Sequence, residues 1–332
     1  MFCWLLCLTA TTAVPPEPLS RFEATQSQMG TDIVIVVYSP TEELAHNAFA
    51  AGFGRIATIN RVMSDYEPSS ELSRLSRAAP TERPMSVSKD LFLVLLAAES
   101  LSRRTNGAFD VTVGPLTKLW RRARRRSEYP AENLLEAASA ATGYRNLKLD
   151  PRTQTAELVL PKMRLDLGGI AKGFAGDEAL RSMAELGVTR AIVNAGGDVV
   201  AGEAPPDEAG WRVGIASLER DAPPTRFIRV ANAAVATSGD IWQSVEIDGT
   251  RYSHILNPRT GLGLTTRSSV TIIAPTGIVA DSLASAVSVL GPKSGIKLVE
   301  ETTATEALIL IQGEVGVRAH QSSSFDELLD SE

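Results

Sequence analysis

The sequence predicts a mixed α/β (α+β) fold in a single domain, because segments of strand and helix character alternate along most of the chain. Asp32–Tyr38 is rich in β-branched residues, which is typical of a buried strand, and Thr41 then begins a helix with acidic residues in its first turn. The same order recurs at Ser268–Ala274 and Ile278–Leu290. No low-complexity linker interrupts residues 30–320, so one domain is expected.

The composition is that of a globular protein. Of the 332 residues, 44% are hydrophobic and 22% are charged, and the net charge of -6 argues against a general nucleic-acid partner. One local basic run departs from this balance, and it could contact phosphates or anionic lipid or simply form a solvated helix face. Its members are Lys118, Arg121, Arg122, Arg124, Arg125 and Arg126.

The first residues resemble the hydrophobic part of an export signal. Met1–Ala13 is apolar and too short for a comfortable transmembrane helix, and it contains Cys3 and Cys7, the two cysteines of the sequence. We therefore expect a secreted protein or one tethered to the membrane at its N-terminus, rather than a membrane-spanning one. The predicted division is an export signal and polar lead-in (1–28), one domain (29–320) and an acidic, disordered tail (321–332).

Further elements follow from periodicity and from glycine, proline and capping signals. Additional helices are expected from Ser88 to Asn106 and over Pro130–Ala141, Ile170–Leu186 and Ser294–Thr302. Additional strands are expected at Thr155–Leu160 paired with Met163–Leu167, and at Arg190–Asn194, Trp211–Ile215, Phe227–Val230, Ala234–Thr237, Ala307–Ile311 and Val315–Arg318.

His254 lies between a predicted hairpin and a predicted tight turn. Asp248-Gly249 is a hairpin signal between Trp242–Ile247 and Arg251–Ser253, and Asn257–Gly261 has the composition of a turn. Upstream, Thr237–Asp240 is a cluster of turn-forming residues. These features give the imidazole a fixed direction. The stretch alone does not distinguish a buried histidine bonded to a carbonyl from a catalytic base.

Three predicted junctions place a carboxylate beside glycines: Gly107–Asp110, Asp166–Gly169 and Gly196–Asp198. Glycine allows close approach of backbone N–H groups, and the helix after Gly169 would present free amides and its positive dipole end to a phosphate. Lys172 adds a cation in its first turn. Any one junction by itself is equally compatible with an ordinary turn.

Asp281 and Ser285 stand at i and i+4 of a predicted helix, so both oxygens leave one face. A carboxylate with a hydroxyl suits Mg²⁺, although Asp281 also fits a first-turn helix charge. The three histidines, His46, His254 and His320, are too dispersed to indicate a zinc site.

Seven motifs, taken in order, resemble the ApbE family of Mg²⁺-dependent FAD:protein FMN transferases. They are Met29-Gly30-Thr31, MSDYEPSSELSRLSR from Met63, GAFDVTVGPLTKLW from Gly107, DLGGIAKGFAGD from Asp166, VNAGGDV from Val193, ATSGD with YSHILNPRTG between Ala236 and Gly261, and VTIIAPTGIVADSLASA from Val270.

The resemblance implies a single T-fold-like domain with mixed sheets flanked by helices, and a reaction that moves FMN from FAD to a Thr or Ser hydroxyl of an acceptor flavoprotein with release of AMP. It implies His254 as the catalytic base, since histidine ordinarily titrates near pH 6.5. The implied Mg²⁺ ligands are Gly169, Asp281 and Ser285. The implied FAD-binding residues are Met29, Tyr66, Ala108, Phe109, Asp110, Asp166, Lys172 and Ile255.

The sequence departs from the family pattern at a few positions. Asn257 stands where the family usually has Asp, Val111 where it has Pro, Ser285 where it has Thr and Phe174 where it has Tyr. The resemblance implies an exported protein, periplasmic or in the cell envelope, whose acceptor is a subunit of a membrane redox complex. Two other functions remain open: a Mg²⁺-dependent FAD pyrophosphatase giving FMN and AMP, and a non-catalytic FAD-binding lipoprotein.

Overall fold

The computed structural model describes residues 18–219, 222–239 and 243–330. The helices are α1 (Glu42–Met63), α2 (Glu71–Arg77), α3 (Lys89–Arg104), α4 (Gly114–Arg126), α5 (Glu132–Ala140), α6 (Ala171–Ala184) and α7 (Gly277–Glu300). The strands are β1 (Ser20–Gln28), β2 (Thr31–Ser39), β3 (Met85–Ser86), β4 (Leu147–Asp150), β5 (Thr155–Leu158), β6 (Ala191–Ala195), β7 (Asp198–Ala201), β8 (Trp211–Ile215), β9 (Arg226–Val230), β10 (Ala233–Gly239), β11 (Ser244–Ile247), β12 (Thr250–Ser253), β13 (Leu256–Asn257), β14 (Leu262–Gly263), β15 (Ser268–Ala274), β16 (Glu306–Gly313) and β17 (Gly316–Gln321).

Eight strands form a central antiparallel sheet in the order β1-β2-β6-β7-β10-β15-β16-β17. One face of the sheet packs against α1, α6 and α7 around the largest apolar cluster, which includes Ile35, Ile56, Val193 and Val287. The other face is covered by the β8–β9 hairpin, where Trp211 and Ile228 join a second cluster. The predicted mixed α/β (α+β) class is confirmed, but the strand pairs are antiparallel where mixed sheets were expected.

Local capping chemistry explains where several helices begin and end. The Thr41 side chain accepts a hydrogen bond from Leu44 N at the start of α1, and Ser88 does the same for Leu91 N at the start of α3. Within α7, Gly291 has φ 73° and is followed by Pro292, which divides this element into the two helices that the sequence predicts. These starts and stops were readable from neighbouring residues.

Helices α6 and α7 cross at two glycines. A Cβ atom on Gly173 would collide with the carbonyl oxygen of Gly277, and a Cβ on Gly277 would collide with the carbonyl oxygen of Gly173. Asp177 of α6 also accepts hydrogen bonds from Gly277 N at 2.6 Å and Ile278 N at 2.9 Å, while the cap residue Thr276 makes no side-chain bond. Burial raises the pKa of Asp177 to about 6. The start of α7 is therefore held by α6.

Three sequence expectations are wrong. Ser20–Gln28, expected as a polar lead-in, is an edge strand paired along its whole length with β2. Met163–Leu167 forms no strand, because β5 pairs with β4 and β3 instead. Thr237–Gly239, expected in a turn, continues β10 and pairs with β15.

The prediction that the tail is disordered is also wrong for residues 321–330. Phe325 is fully buried in the cluster under the β8–β9 hairpin, and Asp330 accepts hydrogen bonds from Arg212 and Arg229. The predicted export signal Met1–Ala13 lies outside the described residues, as do Asp240, Trp242 and residues 331–332. Among the described residues, no helix is both long and apolar enough to cross a bilayer.

We predict that Gly173→Ala lowers the free energy of unfolding by about 1–3 kcal/mol, because the added methyl group must push α6 and α7 apart. The matched control is Gly54→Ala in α1, where a Cβ would have no atom within 4 Å. That change should be neutral or stabilise by up to about 1 kcal/mol. Urea unfolding of both variants measures the difference, and equal stabilities would contradict the close crossing.

Candidate active site

The candidate site lies at one end of the central sheet, where two hairpin turns meet the start of α6. Met29, with φ 52°, and Gly30 form the turn between β1 and β2, and β2 pairs with β6 so that Ile33 is opposite Ala195. The β6–β7 turn therefore lies beside it. The sheet thus brings the Met29-Gly30 turn and the glycine–carboxylate junction at residues 196–198 to the same edge.

Three charged side chains meet behind that edge. Lys172 forms an ion pair with Asp198, whose other oxygen accepts a hydrogen bond from Thr237 N at 3.2 Å. Burial alone would lower the pKa of Lys172, but the charges of Asp198 and Asp281 raise it. Burial and the charge of Asp198 raise the pKa of Asp281 to about 7. The cluster therefore places two buried carboxylates around one partly exposed cation.

Asp281 joins α7 to the first turn of α6. Its Oδ2 accepts a hydrogen bond from Gly173 N at 3.0 Å, and the backbone N–H of Lys172 also lowers the pKa of this carboxyl. Free N-terminal amides of α6 were expected to face a phosphate, and that expectation is wrong for these two groups. A carboxylate offers about four lone-pair positions, so Asp281 keeps acceptor capacity after both bonds.

Ser285 lies one turn further along α7, against Gly169. A Cβ atom on Gly169 would lie 2.6 Å from Ser285 Oγ. The neighbouring Ser282 and Ser288 hydroxyls donate to backbone carbonyls four residues earlier, at 2.7 and 2.8 Å. In the part of the chain that the structure describes, Ser285 Oγ makes no hydrogen bond. The predicted metal residues Gly169, Asp281 and Ser285 are therefore neighbours, with one hydroxyl still available.

The segments containing Tyr66 and Asp166 are held together by Arg121 of α4. Its guanidinium donates to Asp166 Oδ2 at 3.1 Å, forms an ion pair with Asp65, and lies 4.2 Å from the centroid of the Tyr66 ring. Burial and the charge of Asp166 raise the pKa of Asp65, and Arg121 acts against both effects. Asp166 Oδ1 also accepts from Gly168 N at 2.8 Å, which shapes the turn before α6.

The Ala108–Asp110 segment lies against the same turn. Phe109 and Ala108 are buried, and Phe109 Cε2 lies 3.7 Å from the position a Cβ would take on Gly169. The Asp110 carboxylate accepts hydrogen bonds from Thr112 N, Thr112 Oγ1 and Tyr144 N at 2.6–2.8 Å. Burial raises its pKa. The Asp110 side chain thus stabilises its own loop and links it to the segment that contains Tyr144.

His254 follows the β11–β12 hairpin, whose turn residues Asp248 and Gly249 have φ 50° and 74° as the sequence predicts. Its backbone N donates to Gln243 O at 2.9 Å, and the same carbonyl lies 3.1 Å from Nδ1. In the tautomer that donates this bond, the proton is on Nδ1 and the basic lone pair is on Nε2. The carbonyl contact therefore orients the ring and is compatible with a base.

The turn predicted after His254 is present. Gly261 has φ 73° and its N–H donates to Asn257 O at 2.9 Å, while Asn257 Oδ1 accepts from Arg259 N at 3.0 Å. The Asn257 amide thus serves the acceptor role that Asp would serve in this turn, without the charge. Ile255 donates to Ser253 Oγ at 3.0 Å, and its carbonyl accepts from Leu264 N.

One face of α4 connects the two sides of the site. Trp120 Nε1 donates to Gly261 O at 2.7 Å, Arg121 holds the Asp166 side, and Arg124 donates to Gln243 Oε1 at 3.3 Å. Burial lowers the pKa of Arg124. Arg122, Arg125 and Arg126 are exposed. The arginines of the basic run therefore fall into two groups: three are exposed to solvent, and Arg121 and Arg124 contact residues of the candidate site.

The ApbE family model matches residues 29–309. The chain belongs to the ApbE family. An FAD:protein FMN transferase of Klebsiella pneumoniae (strain 342) is 31% identical over 343 residues, covering 99% of this chain and 96% of that protein. An FAD:protein FMN transferase of Vibrio cholerae (classical Ogawa O395) is 34% identical over 275 residues, covering 82% of this chain and 81% of that protein.

Solved ApbE structures share the whole fold. The flavin transferase ApbE from Vibrio cholerae superposes with a TM-score of 0.81 at 29% identity, covering 94% of this chain and 100% of that one. The ApbE protein from Thermotoga maritima gives a TM-score of 0.83 at 30% identity, with 94% and 100% coverage. The family resemblance seen in the sequence motifs is thus confirmed, and so is the fold class.

The structure brings together several of the residues that the ApbE motifs single out. Ser285 and Phe109 both lie against Gly169. Separately, Arg121 contacts both Tyr66 and Asp166. The sequence analysis missed Asp65, Gln243 and the separate role of Arg121. The one available signal was the placement of Trp120, Arg121 and Arg124 on one side of a single helix. Their partners are distant in sequence and could not be assigned from it.

Proposed function

We propose that this chain is a Mg²⁺-dependent FAD:protein FMN transferase that moves FMN from FAD to a Thr or Ser hydroxyl of an acceptor flavoprotein and releases AMP. The observation that carries the proposal is the α6–α7 crossing. In a chain of the ApbE family, the buried Asp281 lies against Gly173 in the first turn of α6, and the unbonded Ser285 hydroxyl lies against Gly169. The names of the relatives support the flavin chemistry.

The donor set fits Mg²⁺ by its chemistry. Asp281 is 5% exposed, and burial disfavours its charged form, so a cation beside it would offset that cost. The Ser285 hydroxyl and the Gly169 carbonyl are further oxygen donors, and Mg²⁺ keeps several waters and takes few protein ligands. When bound there, Mg²⁺ would supply Lewis-acid stabilisation of charge on the pyrophosphate.

Other residues of the chain would bind and orient FAD. Lys172, held in place by Asp198, contributes a fixed cation at the start of α6. Tyr66 supplies an exposed aromatic surface for the planar rings of FAD, and the buried Ala108–Phe109 segment packs behind the Gly169 turn. The backbone of Ile255, next to His254 in the chain, is the last part of the proposed FAD site.

His254 is the proposed base. The acceptor hydroxyl attacks the phosphorus of the FMN half of FAD, its proton passes to Nε2 of His254, and the bond to the AMP oxygen breaks. The products are a phosphoester-linked FMN and AMP. General base catalysis of this kind contributes about 10² to 10⁴ in rate. Water in place of the hydroxyl would give free FMN and AMP.

The proposed setting is the cell envelope. The apolar Met1–Ala13 segment supports export, with or without a membrane tether, and a subunit of a membrane redox complex is the proposed acceptor. The net charge of -6 is consistent with a protein and flavin partner and with no nucleic-acid role.

The direct test incubates the purified chain with FAD, Mg²⁺ and envelope proteins from a host strain deleted for this chain. We expect flavin fluorescence that stays on one protein band through a denaturing gel, with AMP released in equal amount. His254→Gly should reduce labelling by at least about 10²-fold while FAD still binds, since only the proton acceptor is lost.

The alternatives give different products. Free FMN without a labelled band would identify a pyrophosphatase, and unreacted FAD with tight binding would identify a carrier. If His254→Gly lowers FAD affinity by as large a factor as it lowers labelling, His254 is a binding residue and not the base.

The metal assignment predicts a difference between two serines of α7. Ser285→Ala should weaken Mg²⁺ binding in the presence of FAD on the order of tenfold, because it removes a ligand oxygen. Ser288→Ala is the matched control, since that hydroxyl is occupied by Ala284 O at 2.8 Å. Calorimetric titration with Mg²⁺ measures both affinities. Equal affinities in the two variants would rule out Ser285 as a ligand.

A further inference from the structure

Arg121 makes three contacts with segments of the proposed flavin site. It lies on α4, and its guanidinium contacts Asp65, Asp166 and the Tyr66 ring. The side chain is only 20% exposed, whereas Arg122 and Arg125 on the same helix are exposed. Planar guanidinium groups suit this double role, because they bind carboxylates in the plane and stack on rings through their faces.

The contact with Tyr66 concerns a ring that little else restrains. Tyr66 is 74% exposed, and the guanidinium carbon of Arg121 lies 4.2 Å from its centroid. An exposed tyrosine would otherwise sample several rotamers, and a cation over one face selects among them. A planar ligand such as the isoalloxazine or adenine ring can then stack on an aromatic surface that is already oriented.

The contacts with Asp65 and Asp166 control the turn before α6. The two carboxylates are 18% and 9% exposed and share Arg121 as their common cation. Without it, two partly buried like charges would repel. Asp166 also accepts from Gly168 N at 2.8 Å, so its displacement would disturb the Gly168-Gly169 turn that faces Ser285.

We propose that Arg121 is a positioning residue of the flavin site, an inference that rests on the proposed function. It orients the Tyr66 ring as a stacking surface for FAD and, through Asp166, fixes the turn that precedes α6. It acts through these side chains, and the proton transfer belongs to His254. Loss of Arg121 therefore weakens FAD binding more than it slows the chemical step.

The test measures FAD affinity by fluorescence titration, and KM for FAD and kcat in the labelling assay. We expect Arg121→Ala to raise Kd and KM for FAD about tenfold with kcat changed less than about threefold, the size of a lost cation–π contact plus a disturbed ion pair. Arg121→Lys should recover only part of the affinity, since an ammonium cannot stack or bridge in a plane. Arg125→Ala, on the exposed side of α4, should match the wild type.

A double-mutant cycle with Tyr66→Leu separates positioning from general stability. If Arg121 acts through the ring, the effects of Arg121→Ala and Tyr66→Leu on FAD affinity should be less than additive. Additive effects, or an Arg121→Ala variant whose Kd equals that of Arg125→Ala, would overturn the proposal. So would an equal fall in kcat and thermal stability with unchanged Kd. FAD binding is measured separately from labelling. The role of Arg121 can therefore be disproved while the wild type still labels an acceptor, and it can be supported even if the wild type labels none.

Discussion

The glycine contact between α6 and α7 is the constraint on which the site depends. Gly173 and Gly277 let the two helix backbones meet without side chains between them, and Asp177 caps the start of α7 from α6. This crossing brings Asp281 to the first amides of α6. With larger residues the helices would separate, and the carboxylate would lose its donors in a buried place, which is costly.

The second requirement is a link between the Asp166 turn and the segment around His254, and α4 supplies it. The helix carries Trp120 and Arg124 toward the turn and hairpin around His254, and Arg121 toward Asp166. A sequence segment that looks like a simple basic run is thus divided by helical geometry. Three of its arginines remain in water, and two orient other residues.

Short-range chemistry made much of the fold predictable from the sequence. The caps at Thr41 and Ser88, the Asp248-Gly249 hairpin and the break at Gly291 all depend on neighbouring residues. The failures involve partners far along the chain. Ser20–Gln28 alternates weakly because it is a mostly exposed edge strand, and the tail packs onto the domain through Phe325 in a distant apolar cluster and through the bonds of Asp330 with Arg212 and Arg229.

The same division applies to the site. The i, i+4 spacing singled out Asp281 and Ser285, and the family resemblance added Gly169; the structure brings Ser285 against Gly169, and their role as metal ligands stays a prediction. The tertiary capping of α6 by Asp281 was not visible, because residues 173 and 281 are joined only by the crossing. Nor was the structural use of the Asp110 carboxylate, whose partner Tyr144 belongs to another segment.

Anomalous diffraction from crystals grown with FAD and Mn²⁺ would locate the metal, because Mn²⁺ accepts the same oxygen ligands as Mg²⁺ and gives its own signal. We expect one strong peak bonded to Asp281, Ser285 Oγ and the Gly169 carbonyl, at the start of α6. A peak elsewhere with FAD bound, or FAD bound with the Ser285 hydroxyl turned away from the metal, would rule out this metal site.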